Sequence, residues 1–181
     1  MDYPWYEVTE DKLPLQGDFL ARCPILVPPN DFSVETKEQQ EQPSPEIQVK
    51  VETFDVVIMS QSCDLAQRKL RTVLVCPHWS VENFAQSQSG FSNKQLEQLR
   101  CGNLLGYHML DKCSLPQYER PIQIVDFRST HSLPLDHIFA LANRDLMRLR
   151  LLPPYREHLA QAFARFLMRV GLPTDIPRFI Q

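Results

Sequence analysis

Two apolar runs of strand composition, Val56-Val57-Ile58-Met59 and Val73-Leu74-Val75-Cys76, flank one polar segment, Ser60 to Lys69. β-Branched runs of this length, bounded by turn-formers, read as strands buried on both faces. Their connector, which contains Ser60-Gln61-Ser62-Cys63-Asp64-Leu65, is then held out at the sheet edge, where a site can form. The rest of the chain has to cover such strands from both sides.

At 181 residues the chain suits one domain, 1–181, and buries enough surface to fold without a disulfide or a metal. No run approaches the eighteen or so apolar residues of a membrane span, and Met1-Asp2-Tyr3-Pro4-Trp5 lacks the pattern of a signal peptide. Five cysteines at irregular spacing argue against a disulfide framework and for a reducing compartment, by default the cytoplasm.

The net charge of −3 hides a gradient. Residues 1–60 carry four basic and twelve acidic side chains, whereas residues 141–181 carry seven arginines, no lysine and three acids. Arg148 and Arg150 fall on one face of a strand, and Arg165 and Arg169 lie one helical turn apart. With Arg156 and Arg178, these four could meet phosphate or a partner. Pairing with the acidic first third, within the protein or across a homodimer, is the alternative use of the same charges.

Gly17-Asp18 opens a strand over Phe19 to Val27, with Trp5 and Tyr6 anchoring the segment before it. Residues 30–46 are polar and proline-punctuated, the composition of a flexible loop. Ile47, Val49 and Val51 alternate with polar residues as in a half-exposed strand, and a bulge or bend near Phe54-Asp55 would carry it into the buried run. After Pro77 the pattern turns helical. Ser92 and Gln95 have capping-box spacing, Leu96 and Leu99 share a helix face, and Gly102 terminates it. Strands follow at Gly106–Leu110 and Pro121–Phe127, a helix at Leu135–Leu141 and a strand at Leu146–Leu152. A C-terminal helix over 154–171 carries Leu159, Phe163, Phe166, Leu167 and Val170 at helical spacing. The fold class is α+β: a bent antiparallel sheet or small SH3-like barrel with short helices and a long C-terminal helix.

The order Gly17-Asp18-Phe19, Asp55 to Gln61, then Thr72 to Pro77 resembles the PemK/MazF-type toxin family over the first half of the chain. That resemblance implies an SH3-like barrel core. Where the family carries a strand-starting Arg and a closing Thr or Ser for endoribonuclease chemistry, this chain has Phe54 or Asp55 and Trp79 or Ser80. The segments Ser60 to Leu65, Val125-Asp126-Phe127-Arg128 and Tyr155 to Phe166 resemble small bacterial proteins of unassigned function, which implies no activity.

Cys63 is the first candidate for chemistry. Asp64 capping a helix over Leu65 to Leu70 would set the thiol before a helix N-terminus, with His78 as base and Asp126 or Asp64 as orienting carboxylate. A structural cysteine in a tight turn is the plainer reading. Cys63, Cys76 and His78 are the residues a zinc ion would use, with Cys101, His108 or Cys113 as a fourth ligand, but the spacing lacks paired ligands and no metal or other cofactor is expected. The expected function is a non-catalytic bacterial interaction or regulatory module of a toxin, defence or signalling locus, with a protein partner or a second copy. A thiol-dependent hydrolase or endoribonuclease-like enzyme, and a nucleic-acid-binding protein using the Arg-rich end, are the alternatives. No membrane partner is expected.

Overall fold

The computed structural model describes residues 3–29, 49–87, 91–145 and 147–168. The expected polar loop at 30–46, Ile47, Arg169, Val170 and Arg178 lie outside them. Among the described residues eight strands and five short helices make an α+β fold whose antiparallel sheet does not close into a barrel. β1 (Tyr6–Thr9) pairs with β8 (Arg148–Leu151) in a two-stranded ribbon, and the main sheet runs in the order β2 (Phe19–Val27), β3 (Lys50–Ile58), β4 (Thr72–Ser80), β6 (Gln123–Asp126), β5 (Tyr107–Leu110). β7 (His131–Pro134) also pairs with β4.

The two apolar runs lie side by side, Val57 opposite Cys76 and Ile58 opposite Val75. Strand alternation divides their side chains between two cores. Val56, Ile58, Val73 and Val75 pack under α4 (Leu135–Arg144), while Val57, Met59 and Cys76 pack under α5 (Tyr155–Leu167). A third core, of Phe84, Leu99 and Ile124, lies under α2 (Val81–Ser87) and α3 (Asn93–Arg100). Among the described residues no helix is long and apolar enough to cross a membrane.

β4 continues through Pro77 to Ser80, where a helical pattern was expected. At this point the strand changes partners: its pairing with β3 ends at Val56 and Pro77, and its pairing with β6 begins at His78 and Val125. A proline is tolerated where a ladder breaks off. β6, the 3₁₀ turn Phe127–Ser129 and β7 form one interrupted strand along β4, its register advancing by the length of that turn. The expected bulge lies opposite Asp55, but the extra residue belongs to β2. The register shifts between Leu20 and Cys23, Arg22 takes φ 49°, and its N–H donates to Asp55 Oδ1 at 2.9 Å.

Three expectations need correction. The helix after β3 spans Ser62–Ala66 (α1), with Gln61 as N-cap and no side-chain cap, so Asp64 lies in the first turn and Cys63 inside the helix. Backbone bonds from Asp64 and Leu65 to the Gln61 carbonyl, both 3.2 Å, start the turn without Asp64. Val49 and Val51, expected on the apolar face of a half-exposed strand, are 47% and 57% exposed. Leu167 is also exposed, because Leu159, Phe163 and Phe166 already complete the stripe that α5 buries. By contrast, the capping box at Ser92 and Gln95 forms, and Gly102 (φ 73°) closes α3 through bonds from Gly102 to Leu99 and from Asn103 to Gln98.

The N-terminal segment is tied to the body by its aromatics. Trp5 stacks on Tyr155 at 3.6 Å between centroids, and the Tyr6 hydroxyl donates to the Asp111 carbonyl. Gly17 joins the ribbon to the sheet: its N–H donates to Ile58 and its carbonyl accepts from Leu151, each at 2.9 Å. Its φ of 85° favours glycine, and a Cβ there would sit 3.2 Å from both Arg156 Cγ and Leu151 Cβ. Gly17→Ala is therefore expected to cost about 1–3 kcal/mol, read as a lower urea midpoint at unchanged slope.

Candidate functional site

The connector between the central strands meets the C-terminal helix. Gln16, Gln61, Ser62 and Cys63 face Arg156, Glu157 and Gln161 across an open cleft of about 440 Å³. The connector's pose is fixed from below. Gln16 is buried, donates from Nε2 to the Met59 carbonyl at 2.8 Å, and its backbone N–H donates to Ser62 Oγ at 3.2 Å. Farther along, the Leu74 N–H donates to Ser60 Oγ at 2.9 Å, locking the start of the connector to β4. On the other wall Arg156 donates to Glu157 Oε1 at 2.8 Å, while Oε2 is buried without a partner among the described residues. Burial is the largest single influence on the Glu157 carboxyl and acts to raise its pKa, but the Arg156 hydrogen bond, a backbone hydrogen bond and the Arg156 and His158 charges together lower it. Segments about as far apart as the chain allows thus contribute amides, a guanidinium, a carboxylate and a thiol to one polar surface.

The Cys63 thiol is exposed, and among the described residues its one polar contact is Asp64 Oδ1, at 3.9 Å. Among the described residues no histidine lines this cleft. His78 belongs to two other clefts, where β3 and β4 diverge beyond Val56 and Pro77. Its ring is buried, edge-on to Phe19, and Nδ1 lies 2.9 Å from Gln123 Oε1. Because Gln123 Nε2 donates to the Pro121 carbonyl, Oε1 faces the imidazole, so Nδ1 carries the proton and Nε2 is the acceptor. Burial pushes the His78 pKa down to about 4, the Gln123 bond opposing it.

Asp126 does not orient His78. His78 is paired with Val125, whose side chain points into the core under α5, and the next residue along β6 points to the opposite face. There Asp126 caps the 3₁₀ turn, accepting from the Arg128 N–H at 2.9 Å and from Ser129 Oγ at 3.2 Å. Its pKa is raised by burial against those hydrogen bonds. The expected Cys63, His78 and Asp126 set is thereby corrected: Cys63 and His78 line different clefts, and Asp126 lines neither of them and lies on the opposite sheet face from His78.

Among the described residues no group of three or more histidines, cysteines or acids is placed to hold a metal. Cys76 is buried beside Thr130, and burial pushes its thiol up to about 12. His108 stacks on Phe127, Cys113 is buried in the α5 core, and exposed Cys101 contacts Glu97 and Arg100. The cysteines and histidines named for zinc are thus dispersed.

The arginine surface also needs correction. Arg148 and Arg150 are 5% and 7% exposed and clasp the fully buried Asp18 carboxylate. Arg148 Nε lies 2.6 Å from Oδ2, and Arg150 Nε 2.5 Å from Oδ1. Further donors of both reach the carbonyls of Asp11, Leu13 and Ala142. A strand does place both on one face, as the alternation predicts, but that face is covered by residues 11–18. Arg165 is exposed, and Arg169 lies outside the described residues.

Sequence reasoning missed Gln16, Arg156, Glu157 and Gln161 as neighbours of Cys63, and Asp55 and Arg120 as neighbours of His78. For the first set a signal exists in the sequence, where the Ser60–Leu65 and Tyr155–Phe166 segments both stand out. For the second there was none, because no local pattern links Arg120 to β3. No protein-family model and no curated protein matches the chain.

Proposed function

We propose that this protein is a non-catalytic interaction or regulatory module, of the kind carried in bacterial toxin, defence or signalling loci, and that it engages a protein partner through the cleft between α1 and α5. The observation that supports the reading most is the convergence of the Gln61-Ser62-Cys63 connector and the Arg156-Glu157 end of α5 on one polar surface. A folded connector tied down by Gln16 and Ser60 presents fixed hydrogen-bonding groups, which is what a specific partner surface requires. A nucleophilic thiol needs a base within hydrogen-bond reach. The histidine nearest in sequence serves another cleft.

Cys101 is the internal control, because it and Cys63 are the exposed thiols while Cys23, Cys76 and Cys113 are buried. Iodoacetamide is expected to alkylate Cys63 and Cys101 at rates within about threefold of each other, at and below neutral pH. A Cys63 rate about tenfold above that of Cys101 below neutral pH would return the enzyme reading. The partner side has its own test. A photo-crosslinker carried on Cys63 in a Cys101→Ser background should give one discrete adduct in cells, suppressed by Gln161→Arg. Absence of any adduct that depends on Gln161 removes the cleft as the contact surface.

A further inference from the structure

The clefts beside His78 are independent of the surface just described and carry an arrangement of their own. Asp55, His78 and Arg120 line both of them, and the larger, of about 470 Å³, also takes in Trp79, Asn83 and Glu119. That volume lies within the range of about 300–1,000 Å³ usual for small-molecule sites.

Arg120 is half-buried, its guanidinium 5.3 Å from the centroid of the Phe19 ring. Among the described residues its guanidinium has no hydrogen-bond acceptor and no carboxylate within 4.0 Å, and Asp55 has no basic side chain within that distance. One Asp55 oxygen accepts the Arg22 N–H. Two opposite charges therefore border one cleft without pairing with each other. The His78 imidazole, which lines the same clefts, feels both, Arg120 disfavouring its cation and Asp55 favouring it. Its Nδ1 is committed to Gln123, which leaves Nε2 as a neutral acceptor.

From this juxtaposition we infer that the cleft between the diverging ends of β3 and β4 is a binding site for a small zwitterion, a free α-amino acid, with its carboxylate on Arg120 and its ammonium between Asp55 and His78 Nε2. The planar guanidinium fork matches a carboxylate in two parallel hydrogen bonds. An ammonium offers three donors, and a carboxylate together with a neutral imidazole nitrogen are acceptors for two of them. A phosphate dianion fits worse, because Asp55 and Glu119 leave the cleft net negative despite Arg120. An uncharged ligand would leave both charges unanswered.

Isothermal titration of the full chain with each common L-amino acid in turn tests the assignment, together with the N-acetyl and carboxamide derivative of any that binds. At least one amino acid is expected to bind, and blocking either its ammonium or its carboxylate should weaken binding by about tenfold or more. Arg120→Gln and Asp55→Asn should each produce a similar loss, with an unchanged unfolding midpoint showing that the fold is kept. If no amino acid binds, if a blocked derivative binds as well as its parent, or if Arg120→Gln retains full affinity, the assignment is overturned. Competitive displacement by inorganic phosphate at equal concentration overturns it too, in favour of a simple anion site. The derivative series needs no mutation, so a variant that fails to fold does not remove the test.

Discussion

Asp18→Asn is expected to destabilise the protein by about 3–5 kcal/mol, the range for breaking a buried ion pair by removing one partner. Asp18 is fully buried and holds two buried guanidinium groups, so the loss leaves Arg148 without a counter-charge and Arg150 with only the weaker, half-exposed carboxylates nearby. Nothing nearby substitutes well. Glu7 and Asp11 stand 4.0 and 3.7 Å from Arg150 and are themselves about half exposed. The damage extends beyond the pair, because Asp18 Oδ2 also accepts the Leu15 N–H at 3.0 Å and the two arginines hold the Asp11 and Leu13 carbonyls. The whole segment that covers β8 is organised by one carboxylate. Urea unfolding of the single variant and of Asp18→Leu combined with Arg148→Met and Arg150→Leu separates two explanations. The triple variant should recover much of the loss, since a matched apolar replacement removes the stranded charges. A single-variant loss below about 1 kcal/mol, typical of a surface pair, would show that Asp18 does not carry this role.

Stability should also fall steeply as the pH drops from about 6.5 towards about 4. Two histidines contribute most, and His131, whose pKa burial also lowers, acts in the same direction. His78 and His108 both have pKa values lowered to about 4, chiefly by burial; the His158 and Arg165 charges add to the effect at His108, and the Gln123 bond opposes it at His78. In the unfolded chain both bind a proton near the ordinary imidazole value, so between the two values the unfolded state holds more protons than the native one. Stability therefore rises with pH across this window and is fully present above it. Each histidine contributes up to about 3 kcal/mol, from about 1.4 kcal/mol per pKa unit. Asp126 has the opposite sign: its raised value adds stability at low pH that is lost as pH rises through its folded pKa, which offsets part of the acid effect. Urea midpoints at several pH values, compared with those of His108→Gln, check the account. The variant should show a visibly shallower acid limb, and an unchanged limb would exclude His108 as a contributor.

Local chemistry made several elements readable. The capping box at Ser92, the terminator at Gly102 and the stripe on α5 involve groups a few residues apart, so composition and spacing suffice. The paired apolar runs were readable too, since a strand covered on both faces needs apolar residues at every position. The bulge at Asp55 was placed correctly along the sheet but on the wrong strand, because an irregular register belongs to a pair and only one member was visible. Val49 and Val51 alternate as a strand should, yet alternation does not say which face meets the core.

The candidate sites were less legible for the same reason. Cys63 was found, but its neighbours across the cleft come from residues 16 and 156–161. His78 was found, but a proline made its strand appear to end, and its charged companions come from β3 and from the loop before β6. Arg148 and Arg150 do share one strand face, as alternation predicts, but that face is covered, since burial is not a property of a strand's own sequence.

By itself, then, the chain's sequence determined the class of fold, the two central strands, the ends of α3 and the buried stripe of α5, all of which follow from short-range sterics and hydrophobic periodicity. Only the tertiary structure decided that the sheet stays open, that Asp18 takes both arginines, and that Cys63 and His78 serve separate clefts. Those outcomes depend on which distant segments share a desolvated space, where the strength of a charge or hydrogen bond is set by neighbours that one-dimensional spacing does not encode.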